Sequence, residues 1–137
     1  MYLYLSVPSV HMHSESKSIQ QQHIYQVIEQ AKYAWMNGDA DKFSSLFSAD
    51  GEMIVPGKKW QGREAIHKAF TEFTAQNLAV TIEVHRVFIQ DHTAVVEWTW
   101  QESDRITQNT SLAEDVIVID FENHLIRRWR EYIDNLS

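Results

Sequence analysis

From about Leu78 to the C-terminus, apolar residues recur at every second position, and the links between the alternating stretches are short. Side chains on a strand point to opposite faces in turn, so this half of the chain is predicted to form four long strands. Asp91-His92 and "ENH" (122–124) are short links, which favour antiparallel pairing. The first stretch, "VTIEVHRVFIQ", places Val80, Ile82 and Val84 in one phase and then slips to Val87 and Ile89. One extra residue in the alternation is what a β-bulge produces, and bulges bend strands. A strand that curves near His85 and Arg86 is therefore expected.

The first half has a different period. Ile24, Val27, Ile28, Ala31 and Trp35 recur three and four apart, which makes one apolar helical face. Asn37-Gly38 ends that helix, and Asp39 can cap a short second one carrying Phe43, Leu46 and Phe47. "SADG" reads as a turn, "EMIVPG" as a short strand stopped by Pro56-Gly57, and "KKWQGREAIHKAF" as a third helix with Ile66, Ala69, Phe70 and Phe73 on one side. Residues 1 to about 15 lack helical periodicity and are expected to be an N-terminal extension, with a short strand as one option; the domain occupies 16–137. The layout implies an α+β fold with helices on one face of a curved sheet.

Composition limits the chemistry. No cysteine is present among the 137 residues, which removes disulfides, thiolate catalysis and thiolate metal ligands and fits a reducing cytoplasm. A formal charge of −7, with Arg127, Arg128 and Arg130 as the only basic cluster, argues against nucleic acid as a partner. "MYLYLSVPSV" has no basic start, and Ser6 and Pro8 break its apolar run, so neither a signal peptide nor a membrane span is expected. His11 and His13 lack a third ligand, and no His pair has the i, i+4 spacing of a helical metal site, so no metal is expected. "KKWQG" lacks the spacing of a phosphate loop, so no cofactor is implied.

The segments "MNGDADKFSSLFSADGEMIVPG", "WQGREAIHKAF", "VVEWTWQ" and "DVIVIDFENHLIRRWREYID" together resemble the SnoaL-like branch of the nuclear transport factor 2-like superfamily, over roughly residues 19 to 135. The resemblance implies a cone: a bent antiparallel sheet, cystatin-like in outline, wrapped around a long N-terminal helix with a pocket at the open end. It includes ketosteroid isomerases, polyketide cyclases, epoxide hydrolases and non-catalytic binding or dimerisation modules, so the fold alone does not choose among them. By this resemblance Glu131 falls where the cyclases and epoxide hydrolases carry an Asp that acts as general acid or acid/base. Other family positions differ. The Arg and Asp that the epoxide hydrolases place two apart on the middle strand are Trp98 and Trp100 here, and their Tyr and Asn on the short strand are Met53 and Val55. The ketosteroid isomerase base would fall near Val55-Pro56, where no acid stands, and the Tyr of its first helix falls near Ala31.

Within "RRWREYID", Trp129, Glu131 and Ile133 share one face, and two apolar neighbours suggest that it points inward. Glu131 is then either an acid/base in an apolar pocket or a structural carboxylate paired with an arginine such as Arg86. Asp115 shares a face with Ile117 and Ile119; it is a candidate second acid, although a place in water at the strand end is the plainer expectation. Trp35, Met53, Val55, Trp60, Trp98, Trp100, Ile117 and Trp129 are candidates for a wall that binds a small apolar molecule, with core filling as the alternative for the indoles. Arg128, Arg130 and Tyr132, beside Glu97, Thr99 and Gln101, form a mixed outer face that suits a homodimer contact. The expected function is uptake of a small apolar molecule, with Glu131-dependent isomerase, cyclase or hydratase chemistry if the protein is an enzyme. A non-catalytic carrier or dimerisation module is the alternative.

Overall fold

The computed structural model describes the backbone of residues 3–136 and side chains from 18 to 136. Helix α1 spans Leu3–Asn37, α2 Ala40–Ser45 and α3 Arg63–Thr74; the strands are β1 Phe47–Val55, β2 Lys58–Gln61, β3 Leu78–Gln90, β4 Thr93–Asp104, β5 Thr110–Glu122 and β6 Leu125–Asn135. They form one six-stranded sheet in the order β2-β1-β6-β5-β4-β3. The fold is α+β, with the long N-terminal helix and curved sheet expected from the sequence.

The periodicities translate directly into packing. Ile24, Val27, Ile28, Ala31 and Trp35 are all buried, so α1 presents its apolar stripe to the sheet. Gly38 takes φ 68, and the amide of Asp39 returns to the carbonyl of Ala34 at 2.8 Å, closing the helix. The Asp39 carboxylate accepts from the amide of Lys42 at 3.0 Å and caps α2. In the sheet, Ala94, Val96, Trp98, Ile117, Ile119 and Trp129 are buried from one side. The pairing of β3 with β4 shifts between Val84 and Arg86, where the phase of the sequence slips.

Several boundaries depart from the sequence reading. From Leu3 onward, the stretch expected as an extension, with a strand as one option, lies within α1; His11 and His13 fall outside the described side chains. "SADG" does not turn the chain but lies inside β1, and Phe47 opens that strand instead of ending α2. Lys58–Gln61 is a strand of a tight hairpin with β1, so α3 starts at Arg63, and Trp60 sits on a strand opposite Met53. The sheet is not wholly antiparallel, because β1 runs parallel to β6. Such a pairing joins segments far apart in the chain, and local alternation carries no record of it.

The junction of β1 and β6 contains an irregularity between Phe47 and Glu52, and Gly51 lies within it. A methyl group there would stand 2.8 Å from the carbonyl oxygen of Ile126, so β6 can approach only because the position lacks a side chain. Gly51→Ala should lower stability by about 2 kcal/mol, read as a reduced denaturant midpoint. A midpoint equal to wild type would show that the junction relaxes freely.

Candidate functional site

The inward faces of β4, β5 and β6 can be followed row by row. Ala94, Ile119 and Trp129 form one row; Val96, Ile117 and Glu131 form the next; Trp98, Asp115 and Ile133 the third; Trp100, Ala113 and Asn135 the last. The first row is wholly apolar, and the acids stand in the second and third. Glu131 and Asp115 are diagonal neighbours on this face.

Both acids are buried, with Glu131 7% and Asp115 4% exposed. Each is held by an indole. Trp129 Nε1 donates to Glu131 Oε1 at 2.8 Å, and Trp98 Nε1 donates to Asp115 Oδ2 at 3.1 Å. Trp129 is two residues from Glu131 on the same face, while Trp98 lies directly across the strand pair from Asp115. Asp115 Oδ1 has no partner among the described residues. Desolvation pushes the Glu131 carboxyl up to about 7, opposed by the indole hydrogen bond and assisted by the nearby charge of Asp115. Desolvation raises Asp115 to about 6, with the Trp98 hydrogen bond again opposing it.

The arginine expected as a structural partner for Glu131 is engaged elsewhere. Arg86 makes a two-pronged contact with Glu97, at 2.7 and 3.0 Å. The bulge near Arg86 does not bring its side chain to the inner acid. Asp115, for which water at the strand end was the plainer expectation, is enclosed, because β5 continues beyond it to Thr110 and both neighbouring strands cover it.

A cavity of about 400 Å³ opens at this end of the sheet. Asp115 and Glu131 line it together with Trp35, Met53, Val55, Trp60 and Trp100 from the predicted set. Trp98, Ile117 and Trp129 do not line it: they are buried beneath, and for Trp98 and Trp129 the core-filling alternative describes the indole body. The sequence reading left out the helical side of the wall. Phe43 of α2 and Ile66, Phe70 and Phe73 of α3 complete it, and the helical spacing of the last three was the available signal. Trp35 stacks on Phe70 at 4.0 Å between ring centres and meets Phe43, Phe73 and Trp100 at steeper angles. Its Nε1 has no partner among the described residues. Lys58, Glu72, Gln76 and Glu102 add polar groups to the lining, and Glu102 accepts from Trp100 Nε1 at 3.0 Å.

Residues 28–129 match the domain family described as SnoaL-like. The chain belongs to this family. No curated protein matches the SnoaL-like chain. Solved structures share its fold at low identity. A Catenulispora acidiphila protein with a ketosteroid isomerase-like fold, in complex with trimethylamine, is 16% identical with TM-score 0.71, over 77% of this chain and 83% of that one. An M. tuberculosis LEH-like epoxide hydrolase is 16% identical with TM-score 0.73, over 82% and 84%. A Nostoc punctiforme domain of unknown function with a cystatin-like fold is 18% identical with TM-score 0.68, over 87% and 79%. The SnoaL-like domain thus shares the fold of ketosteroid isomerase-like and cystatin-like structures. Among the described residues no group of His, Asp or Glu could hold a metal ion, and no helix is long and apolar enough to cross a membrane.

The raised acids have a consequence for stability. Below about pH 3 they are largely protonated in folded and unfolded chains alike. As pH rises toward 7 the unfolded chain loses their protons first, so their contribution to stability falls through that window. Glu131→Gln removes one of these costs and keeps an acceptor for Trp129. It should leave stability near wild type at pH 4 and raise it by roughly 2 kcal/mol at pH 8. Denaturant titrations at the two pH values test this, and an equal effect at both would mean that burial does not govern Glu131.

Proposed function

We propose that the SnoaL-like domain binds a small, largely apolar molecule in this cavity and that Glu131, assisted by Asp115, moves a proton on it. The observation that carries this reading is a pair of buried acids, without a cationic partner among the described residues, on the wall of an aromatic cavity. A carboxyl raised to about 7 by desolvation holds its proton part of the time at neutral pH and can act in either direction. Asp115, raised less, to about 6, is the one more often ionised at that pH. Different proton affinities in adjacent acids suit an acid and a base acting in one turnover. The chemistry would be isomerisation, cyclisation or hydration, as the family resemblance implies. Burial of the two acids strengthens their electrostatic action.

The non-catalytic alternative uses the same cavity without proton transfer. The two readings separate on one variant. A screen of hydrophobic enones, epoxides and polyketide-like ketones by thermal shift should find compounds that raise Tm. For a compound that also turns over, Glu131→Gln should cut kcat at least about 100-fold while leaving the thermal shift in place. Binding with no turnover in wild type across the screen would favour a carrier, and a Glu131→Gln enzyme at full rate would remove the proton-transfer proposal.

We also propose a homodimer through the outer face of the sheet. Phe88 and Tyr132 are half exposed there, with the guanidinium groups of Arg86 and Arg130 lying over their rings at 5.5 and 4.9 Å. Sedimentation at tens of micromolar should give twice the chain mass, reduced to one by Phe88→Glu with Tyr132→Glu. A wild-type monomer would dismiss the dimer.

A further inference from the structure

The charge around the cavity is one-sided. Glu72 of α3, Glu102 of β4, Asp115 of β5 and Glu131 of β6 line it, against Lys58 at the start of β2. α1 and α2 contribute only aromatic groups, Trp35 and Phe43, and neither arginine nor histidine takes part among the described lining residues. Asp115 states the imbalance most sharply. It is 4% exposed, one oxygen accepts a neutral indole N–H, and the other has no partner among the described residues. That oxygen is shielded from solvent, and a purely hydrocarbon ligand would leave it unsatisfied. A hydroxyl would supply a donor but no charge. An ammonium supplies both, and a charge-assisted bond to a desolvated carboxylate is the stronger kind. The rest of the wall suits the same occupant, because indole faces attract cations and the alkyl groups polarised by them.

We propose that the molecule taken up by this cavity is an organic cation: an ammonium bearing apolar alkyl or aryl groups, its N–H directed to Asp115 and its substituents against Trp35, Trp60 and Trp100. This rests on the cavity being the ligand site and narrows the class of compound it takes. Asp115 then acts as the charge anchor, and Glu131 remains the group that exchanges a proton. The ligand binds the ionised form of Asp115, so its arrival expels whatever proton the free protein holds there. With that carboxyl at about 6 in the free protein, affinity should be about tenfold weaker at pH 5 than at pH 7.5. Glu72, Glu102 and Lys58 face the same space, and the fixed charges of the two glutamates pull in the same direction while that of Lys58 opposes it.

The test compares N,N-dimethylbenzylamine with the neutral 1-phenyl-2-propanol, by calorimetry and thermal shift on the full chain. The amine should bind at least tenfold more tightly at pH 7.5, and Asp115→Asn should erase the difference while retaining the weaker affinity for the alcohol. Equal affinities in wild type would overturn the cation inference and leave the cavity reading standing. Binding of neither compound, nor of any in the wider screen, would overturn both. Should Asp115→Asn fail to fold, the wild type decides through proton release. Titration of the amine at pH 6.5 in two buffers of different ionisation heat should show protons leaving the protein. No release would overturn the proposal.

Discussion

A strand has one inward face, and in β4, β5 and β6 that face has to be hydrocarbon at one end and polar at the other. The handover takes place within two residues on β5 and on β6. On β6 it runs from Trp129 to Glu131, on β5 from Ile117 to Asp115, and Trp98 of β4 lies beside the second. The two tryptophans make it possible, because an indole has an apolar body and one donor at its edge. Their bodies are buried against the core and each other, with ring centres 5.9 Å apart. Their N–H groups turn to the acids. A Phe in either place would fill the same core and leave a carboxylate with no donor at all.

One neutral donor per carboxylate compensates burial only in part. An arginine in the same position would supply charge as well and would hold the acid ionised at all ordinary pH. The indole does less, and desolvation therefore dominates in both groups. The arginines of this region are directed outward: Arg86 to Glu97, Arg128 to Glu52, Arg130 over Tyr132. The inner acids consequently retain protons near neutrality, where a carboxyl can both give and accept one. The same arrangement lowers stability above neutral pH, and such a local conflict between folding and electrostatics is characteristic of a site that does something other than hold the chain together.

Alternation made the four long strands, the slip before Arg86 and the inward face of Glu131 legible in the sequence, because each depends on neighbours within a few residues. The face of a residue does not fix its depth. Asp115 lies on the same face as Ile117, and its burial depends on how far β5 runs on and what covers it, which the alternation does not state. Trp98 and Trp100 share a face as well, yet one is sealed in the core and the other meets Trp35 and Phe73 on the cavity wall. The hairpin of β2 and the parallel contact of β1 with β6 were invisible for another reason. Four residues are too short for a period to be read, and a parallel pairing across most of the chain leaves no local trace. The donor of each acid was also hidden, since Trp98 reaches Asp115 only through a cross-strand register that the sequence does not state.

The resemblance to the epoxide hydrolases becomes most informative where it fails. In that family the middle strand carries an Arg and an Asp two residues apart; here the same strand carries Trp98 and Trp100. Without an arginine there, the strand offers no cation to keep a neighbouring acid ionised. Asp115 stands on the next strand, held by the Trp98 indole, with Glu131 diagonal to it. A site built on a fixed ion pair keeps the same protonation state throughout its working range. A site built on indole-held acids changes state near neutrality, and the organic cation proposed above would supply the charge that this inner face lacks.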